Sequence, residues 1–340
     1  VVSADAEAPI RAWAGGTSGN VLTILAYLGW DSYPIARMNG DSASQRVKAD
    51  MKKWGVKLDL ASCIPTAHTP IIIQEIRRQK DGAPTHRFTW SCPQCGQRLP
   101  SFKPVTTDAV EIVAPKLEGA SVLFMDRLSR STLMMAEKAS QDGAVVFFEP
   151  SGKGDPKLFA EAMKIAHVIK YADQRFASIP EAMSDASSIL VEIQTSGSKG
   201  LKFRHKLGRG ISAWRDVEPF DAPKLVDTCG AGDWCTAGFI SHCAAGGLKG
   251  LRHGGVMGIQ SALGYGQAMA AWNCGFEGAR GGMYAVDKAT FEAQVTALLK
   301  GKPEPMKIGH SKSPRLTKAV PCPACPPRER RIARDSRAAR

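Results

Sequence analysis

A parallel α/β sheet covered by helices on both faces is the fold class that this 340-residue sequence predicts. Three observations point to it. Short apolar runs of strand length alternate with helical stretches through the middle of the chain. Polar and glycine-containing turns separate those runs. Hydrophobic residues are 44% and charged residues 23%, an ordinary globular balance for a chain able to bury a large core.

The elements follow in order. Residues 33–90 read as a small β-rich excursion. Its strand-like pieces are YPIARM (33–38), TPIIIQEIR (69–77) and THRFTW (85–90), with a helix at 42–55 between the first two. SVLFMD (121–126) then reads as a buried strand, and 130–143 as a helix stopped at Gly143. AVVFFE (144–149) is the next strand, 155–166 a helix, HVIKY (167–171) a strand, and SSILVEIQ (187–194) another. Strands joined through helices imply right-handed crossovers and a parallel sheet. From Ala231 the pattern is helical: 231–245, 254–272 and 288–300.

The formal net charge is +13, which raises nucleic acid as a partner. Its distribution argues against one. Residues 301–340 hold eleven Lys/Arg against three Asp/Glu, so +8 of the excess sits in a Pro- and Arg-rich C-terminal extension. A solvated tail is the expectation there. No apolar run reaches membrane-spanning length, so no membrane partner is expected. Nine cysteines and no visible secretory signal point to a reducing, cytoplasmic setting.

The stretch DTCGAGDWCTAGF (227–239) carries the chemistry. Gly230, Ala231 and Gly232 lead into a helix whose first amides have no internal partners and carry the positive end of the dipole. Small residues let an anion approach those amides, making an anion hole suited to phosphoryl transfer. Asp233 stands where it can take a proton from an attacking hydroxyl. For the four residues GAGD alone, an Asp helix cap after a glycine turn is the favoured reading.

The longer stretch resembles the D-T-x-G-A-G-D signature of the ribokinase-like (PfkB) carbohydrate kinases, a family that includes nucleoside kinases. GGTSGNVLTILAYLGW (15–30) resembles that family's N-terminal G-G-x-x-x-N motif. The resemblance implies that Gly15, Gly16 and Asn20 line the sugar pocket. TSGSKG (195–200) resembles its T-x-G-x-x-G turn, which places Thr195, Gly197 and Gly200 on the nucleotide phosphates. NCGFEGARGG (273–282) resembles the segment that closes the adenine pocket and a monovalent-cation loop, with Gly278 and Ala279 in that role. The likeness runs from about residue 14 to 297. It implies a three-layer α/β/α fold over 1–300, with a mostly parallel sheet and lid segments at about 33–38 and 69–90. The implied partners are ATP, Mg²⁺ and K⁺, with a small sugar as substrate and a homodimer formed through the lid.

Two places depart from the pattern. The family begins with a buried strand ending in a substrate-gripping Asp, whereas only VVSADAEAPIRAWA precedes Gly15. The expectation is that this strand lies upstream of Val1, and Asp5 is not assigned the role. The family's N-x-x-E, which organises magnesium, is replaced by Ala172, Asp173, Gln174 and Arg175, leaving Asp173 or Glu149 as substitutes.

Cys92 and Cys95, and Cys322 and Cys325, form two C-x-x-C pairs, each like half of a zinc ribbon. A joint structural Zn²⁺ site is expected, against the alternative of two unrelated pairs. The functional expectation is an ATP-dependent kinase for the hydroxymethyl group of a small sugar. A nucleoside kinase of the same fold and a non-catalytic sugar- or nucleotide-binding regulator are the other readings.

Overall fold

The computed structural model describes residues 2–3, 12–78, 84–92 and 95–302. The elements run in this order: β1 (Val2–Ser3), α1 (Thr17–Tyr27), β2 (Ala36–Met38), α2 (Ser42–Lys53), β3 (Ala61–Cys63), β4 (Ile73–Arg78), β5 (Pro84–Thr89) and α3 (Thr107–Val113). Then come β6 (Val122–Met125), α4 (Arg130–Gln141), β7 (Val145–Phe148), α5 (Pro156–Ile165), β8 (Val168–Ala172), β9 (Val191–Thr195), β10 (Leu201–His205) and β11 (Arg215–Val217). The chain continues with α6 (Ala231–Cys243), α7 (Gly247–Asn273), α8 (Gly281–Ala285) and α9 (Lys288–Leu299).

Six strands form the central sheet in the order β11-β10-β9-β8-β7-β6. β6 to β9 pair in parallel, and β10 and β11 are added antiparallel. Side-chain alternation makes the layers. Val145 and Phe147 of β7 join a core cluster with residues of α1, α6, α7 and α9, while Val146 and Phe148 join the opposite one with residues of α3, α4 and α5. All four β7 residues are buried, as a central parallel strand requires. Caps start the crossover helices: Ser129 accepts from the Thr132 amide at α4, and Asp155 from those of Lys157 and Leu158 at α5.

α6 is buried almost all round, with Trp234, Phe239 and Ile240 fully buried. It packs against α7 through Gly238 and Gly266. A Cβ on either glycine would run into the other helix's backbone. α7 bends at Gly255, whose φ of 57° leaves the helical region.

The excursion forms two small sheets. β4 and β5 make a hairpin joined by β1, and β2 pairs in parallel with β3. Of the residues ahead of Gly15, Val2–Ser3 thus belongs to this small sheet. β6 pairs with β7, and among the described residues no strand pairs with its other side. The strand expected at 187–194 starts only at Val191. Ser187 instead donates from Oγ to the Ala182 and Met163 carbonyls in a turn. The C-terminal extension from 303 lies outside the described residues.

Candidate active site

The parallel strands aim their carboxyl ends at one open cleft of about 3530 Å³. Asp126 after β6, Glu149 after β7 and Thr195 at the end of β9 line it, as do Gly16, Asn20 and Asp233. That volume is several times an ordinary small-molecule pocket of roughly 300–1,000 Å³. It holds room for two substrates and also extends along β6.

The start of α6 is built from the sequence outward. Gly230 caps the helix at φ 79°, a left-handed conformation that glycine adopts without penalty. A side chain there would also collide with the Ala279 carbonyl. So Gly230 is required by its own backbone and by the loop packed on it, beyond any need for ligand access. The first full helical bond runs from the Trp234 amide to the Gly230 carbonyl at 2.9 Å. The amides of Gly232 and Asp233 precede that ladder, at the positive end of the dipole.

Buried Asp227 ties this loop to the next. Its Oδ1 accepts from the Cys229 amide at 2.9 Å and its Oδ2 from the Gly278 amide at 2.9 Å. Trp234 Nε1 donates to the Ala279 carbonyl at 3.0 Å. Gly278, at φ 91°, packs against the Trp13 ring. Gly278 and Ala279 therefore brace the helix entrance, and both line the cleft.

Asp233 is the focus of the site. Its Oδ2 accepts from Asn20 Nδ2 at 2.7 Å. Burial drives its carboxyl up to about 7, reinforced by the nearby Glu149 charge; the Asn20 hydrogen bond and the Lys170 charge act the other way. Asn20 Oδ1 in turn accepts from Arg280 Nε at 3.0 Å, and Arg280 Nη2 donates to Asp50 Oδ2 at 2.7 Å. One chain of contacts thus joins α6, the start of α1, the turn before α8, and α2.

Beneath the helix entrance lies a second network. Lys170 Nζ donates to Glu149 Oε1 at 2.7 Å, with the lysine side chain only 2% exposed. Glu149 Oε2 accepts from Thr236 Oγ1 at 2.6 Å. The pair lies just under Gly232, within ordinary contact of where its Cβ would be. Asp126, held by Ser18 Oγ at 2.7 Å, has its carboxyl raised above the usual range, first by burial.

The structure brings Gly16, Asn20, Thr195, Gly197, Gly230, Gly232, Asp233, Gly278 and Ala279 to the same cleft, together with Gly15. Gly200 is different. Its φ is 87°, and a Cβ would sit 2.7 Å from the Val217 carbonyl, so it serves the packing of β11. Lys170 and Arg280 escaped sequence reasoning. A lysine inside the apolar run HVIKY was the available signal for the first; the second carried none. Cys92 and Cys95 sit in the turn after β5, where the Cys92 amide donates to the Gln97 carbonyl. Cys322 and Cys325 lie outside the described residues. Among the described residues, no group of three or more His, Cys, Asp or Glu gathers as a metal site. Mg²⁺ that arrives with nucleotide phosphates needs only one or two carboxylates. Asp126 fits that role, with one oxygen left over by Ser18, better than Glu149, whose oxygens are both engaged.

No protein-family model matches the chain. An ATP-dependent ribose-1-phosphate kinase from Halopiger xanaduensis is 24% identical over 296 residues, covering 85% of this chain and 90% of the relative. A nucleoside kinase from Burkholderia thailandensis, solved with inosine, superposes with a TM-score of 0.60 at 18% identity, covering 85% of this chain and 87% of the other. A fructokinase from Xylella fastidiosa with bound ATP gives a TM-score of 0.63 at 16% identity, covering 85% and 91%. The chain shares the fold of these sugar and nucleoside kinases.

Proposed function

We propose that the chain is a carbohydrate kinase, transferring the γ-phosphoryl group of ATP to the hydroxymethyl group of a small sugar. The observation that carries this reading is Asp233: a half-buried carboxylate at a helix N-terminus, held by Asn20 and raised to about 7. In the proposed reaction the sugar hydroxyl lies against Asp233, which takes its proton as the oxygen attacks phosphorus. The bond from phosphorus to the bridging oxygen breaks, and ADP leaves. The amides of Gly232 and Asp233 face the charge that builds on the transferring group. Bound Mg²⁺ would neutralise charge on the phosphate oxygens, with Asp126 as the carboxylate that fits it. Thr195 and Gly197, at the end of β9, are assigned to the nucleotide phosphates, and Gly15, Gly16 and Asn20 to the sugar.

The relatives include a ribose-1-phosphate kinase and a nucleoside kinase, so the substrate panel must contain sugars, sugar phosphates and nucleosides. The test is Asp233→Asn. It is expected to lower kcat by on the order of 10²–10⁴ with KM changed only a few-fold. A variant that turns over the true substrate at near-normal rate removes Asp233 from the base role. Retained ATP and sugar binding with no turnover in the parent protein would favour the regulator, the reading that the Ala172 to Arg175 window keeps open.

A further inference from the structure

Gln74 is a buried donor in the cleft that the reaction just described does not use. It stands within β4, opposite Phe88 of β5 in the register. Its neighbours Ile73 and Glu75 are partly buried, whereas Gln74 is 8% exposed and lines the cleft. No oxygen or nitrogen among the described residues accepts from its buried Nε2. Leaving an amide donor buried and unpaired is costly, and a ligand oxygen relieves that cost.

The β4–β5 hairpin brings that donor to the mouth of α6. The Gln74 side chain faces the thiol of Cys229, the residue directly ahead of Gly230. Burial pushes that thiol up, the Asp227 and Asp233 charges push it further, and the Gln74 amide acts the other way. A thiol is only a weak acceptor, so the amide's capacity stays largely unfilled. Cys229 itself lines the cleft, four residues before Asp233 and close enough to feel its charge. Gln74, Cys229 and Asp233 are therefore neighbours along one stretch of cleft wall.

An acceptor whose hydroxymethyl group lies against Asp233 carries its nearest ring hydroxyl only a few bonds away. A site built around an N–H donor accepts a ligand that offers an oxygen there, and rejects one that leaves the donor orphaned. We propose that Gln74 is a specificity-determining residue whose Nε2 donates to the ring hydroxyl nearest the reacting hydroxymethyl group. The proposal rests on the kinase reading and deepens it. The acceptor class is sugars and sugar derivatives that keep this hydroxyl, and analogues deoxygenated at that carbon are rejected. The transfer itself is unchanged, because Gln74 takes no proton and touches no phosphorus.

The experiment compares ribose with 3-deoxyribose, and inosine with 3′-deoxyinosine, as acceptors with ATP. It uses the parent chain and Gln74→Met, which keeps the side chain's length and removes the amide. In at least one pair the parent should lose roughly 10–100-fold in kcat/KM when the hydroxyl is missing. In Gln74→Met that penalty should shrink to within about threefold, because the hydroxyl and the amide act as one pair. Gln74→Ala, which makes no demand on packing, should show the same loss of discrimination. A side chain that only props the hairpin would lower both members of a pair alike and leave their ratio unmoved. A parent that takes both deoxy acceptors as well as their hydroxylated partners, or variants that keep the full penalty, overturns the proposal. Equilibrium titration with the same four compounds, without nucleotide, separates this idea from the kinase reading. Discrimination by the parent that vanishes in the variants upholds the subsite even if no acceptor is phosphorylated. Equal discrimination in the variants, or no binding of any of the four by the parent, rejects it.

Discussion

At the scale of single residues, Asp233 sets a pH dependence whose sign can be worked out. Its carboxyl is raised by burial from an ordinary aspartate value to about 7 in the folded chain. A base must be ionised, so kcat/KM should fall as pH drops below about 7, approaching tenfold per unit. The same shift bears on stability. A group that holds its proton more tightly when folded stabilises fully below its unfolded value, and that contribution is lost as pH rises toward the folded value. Asp233→Asn, which cannot ionise, should therefore gain in Tm over the parent between about pH 4 and 7 and hold the gain above. A Tm difference that does not change with pH would mean the carboxyl is not raised. Gly230 gives a second expectation. Gly230→Ala combines a left-handed backbone with a collision against Ala279 and should cost roughly 2–4 kcal/mol by denaturant unfolding. A cost under 1 kcal/mol would show that the two loops can part without penalty.

At the scale of elements, β6 has two unlike edges. The amides of Val145 and Glu149 bond to the Ser121 and Met125 carbonyls, so the backbone groups of Val122 and Phe124 point the other way. Hydrogen exchange should find the Val122 and Phe124 amides opening well before that of Val146, in the middle of the sheet. Equal protection would mean that something covers this edge. The same elements show what a sequence can reveal. β6, β7, β8 and their crossover helices were readable because apolar runs alternate cleanly with helical periods. β10 carried a usable signal that went unread, since LKFRH alternates apolar and charged residues as a half-buried strand does, whereas the three residues of β11 are too few for a period to show. In the site, Asp233 and its glycines were readable because chemistry and chain geometry demand them in one short stretch. Arg280 and Asp50 were not, because their partnership joins residues 230 apart and leaves no local pattern. The sequence rationale for Gly230 and Gly200 was incomplete in the same way, since the backbones they approach come from distant segments.

At the scale of the whole molecule, the described residues include no helix long and apolar enough to cross a membrane. The joint zinc site stands as a proposal, because it would tie the turn holding Cys92 and Cys95 to Cys322 and Cys325 of the extension. Full-length protein purified without chelators should then carry about one zinc per chain, and a chain ending before Cys322 should lose it. Equal zinc in both chains, or none in the full-length chain, rejects the joint site. The contact between Asn20 and Arg280 has a consequence for biosynthesis. It joins residues separated by 260 positions. At 5–20 residues per second, a ribosome takes roughly 10–50 seconds to deliver the second partner after the first. Over most of that interval Val21, Ile24 and Leu25 of α1 have no α6 to cover them, because α6 has not yet been made. The newborn chain must carry an uncovered apolar helix for that time, so its yield in a cell will depend on the chaperones that meet it as much as on the stability it finally reaches.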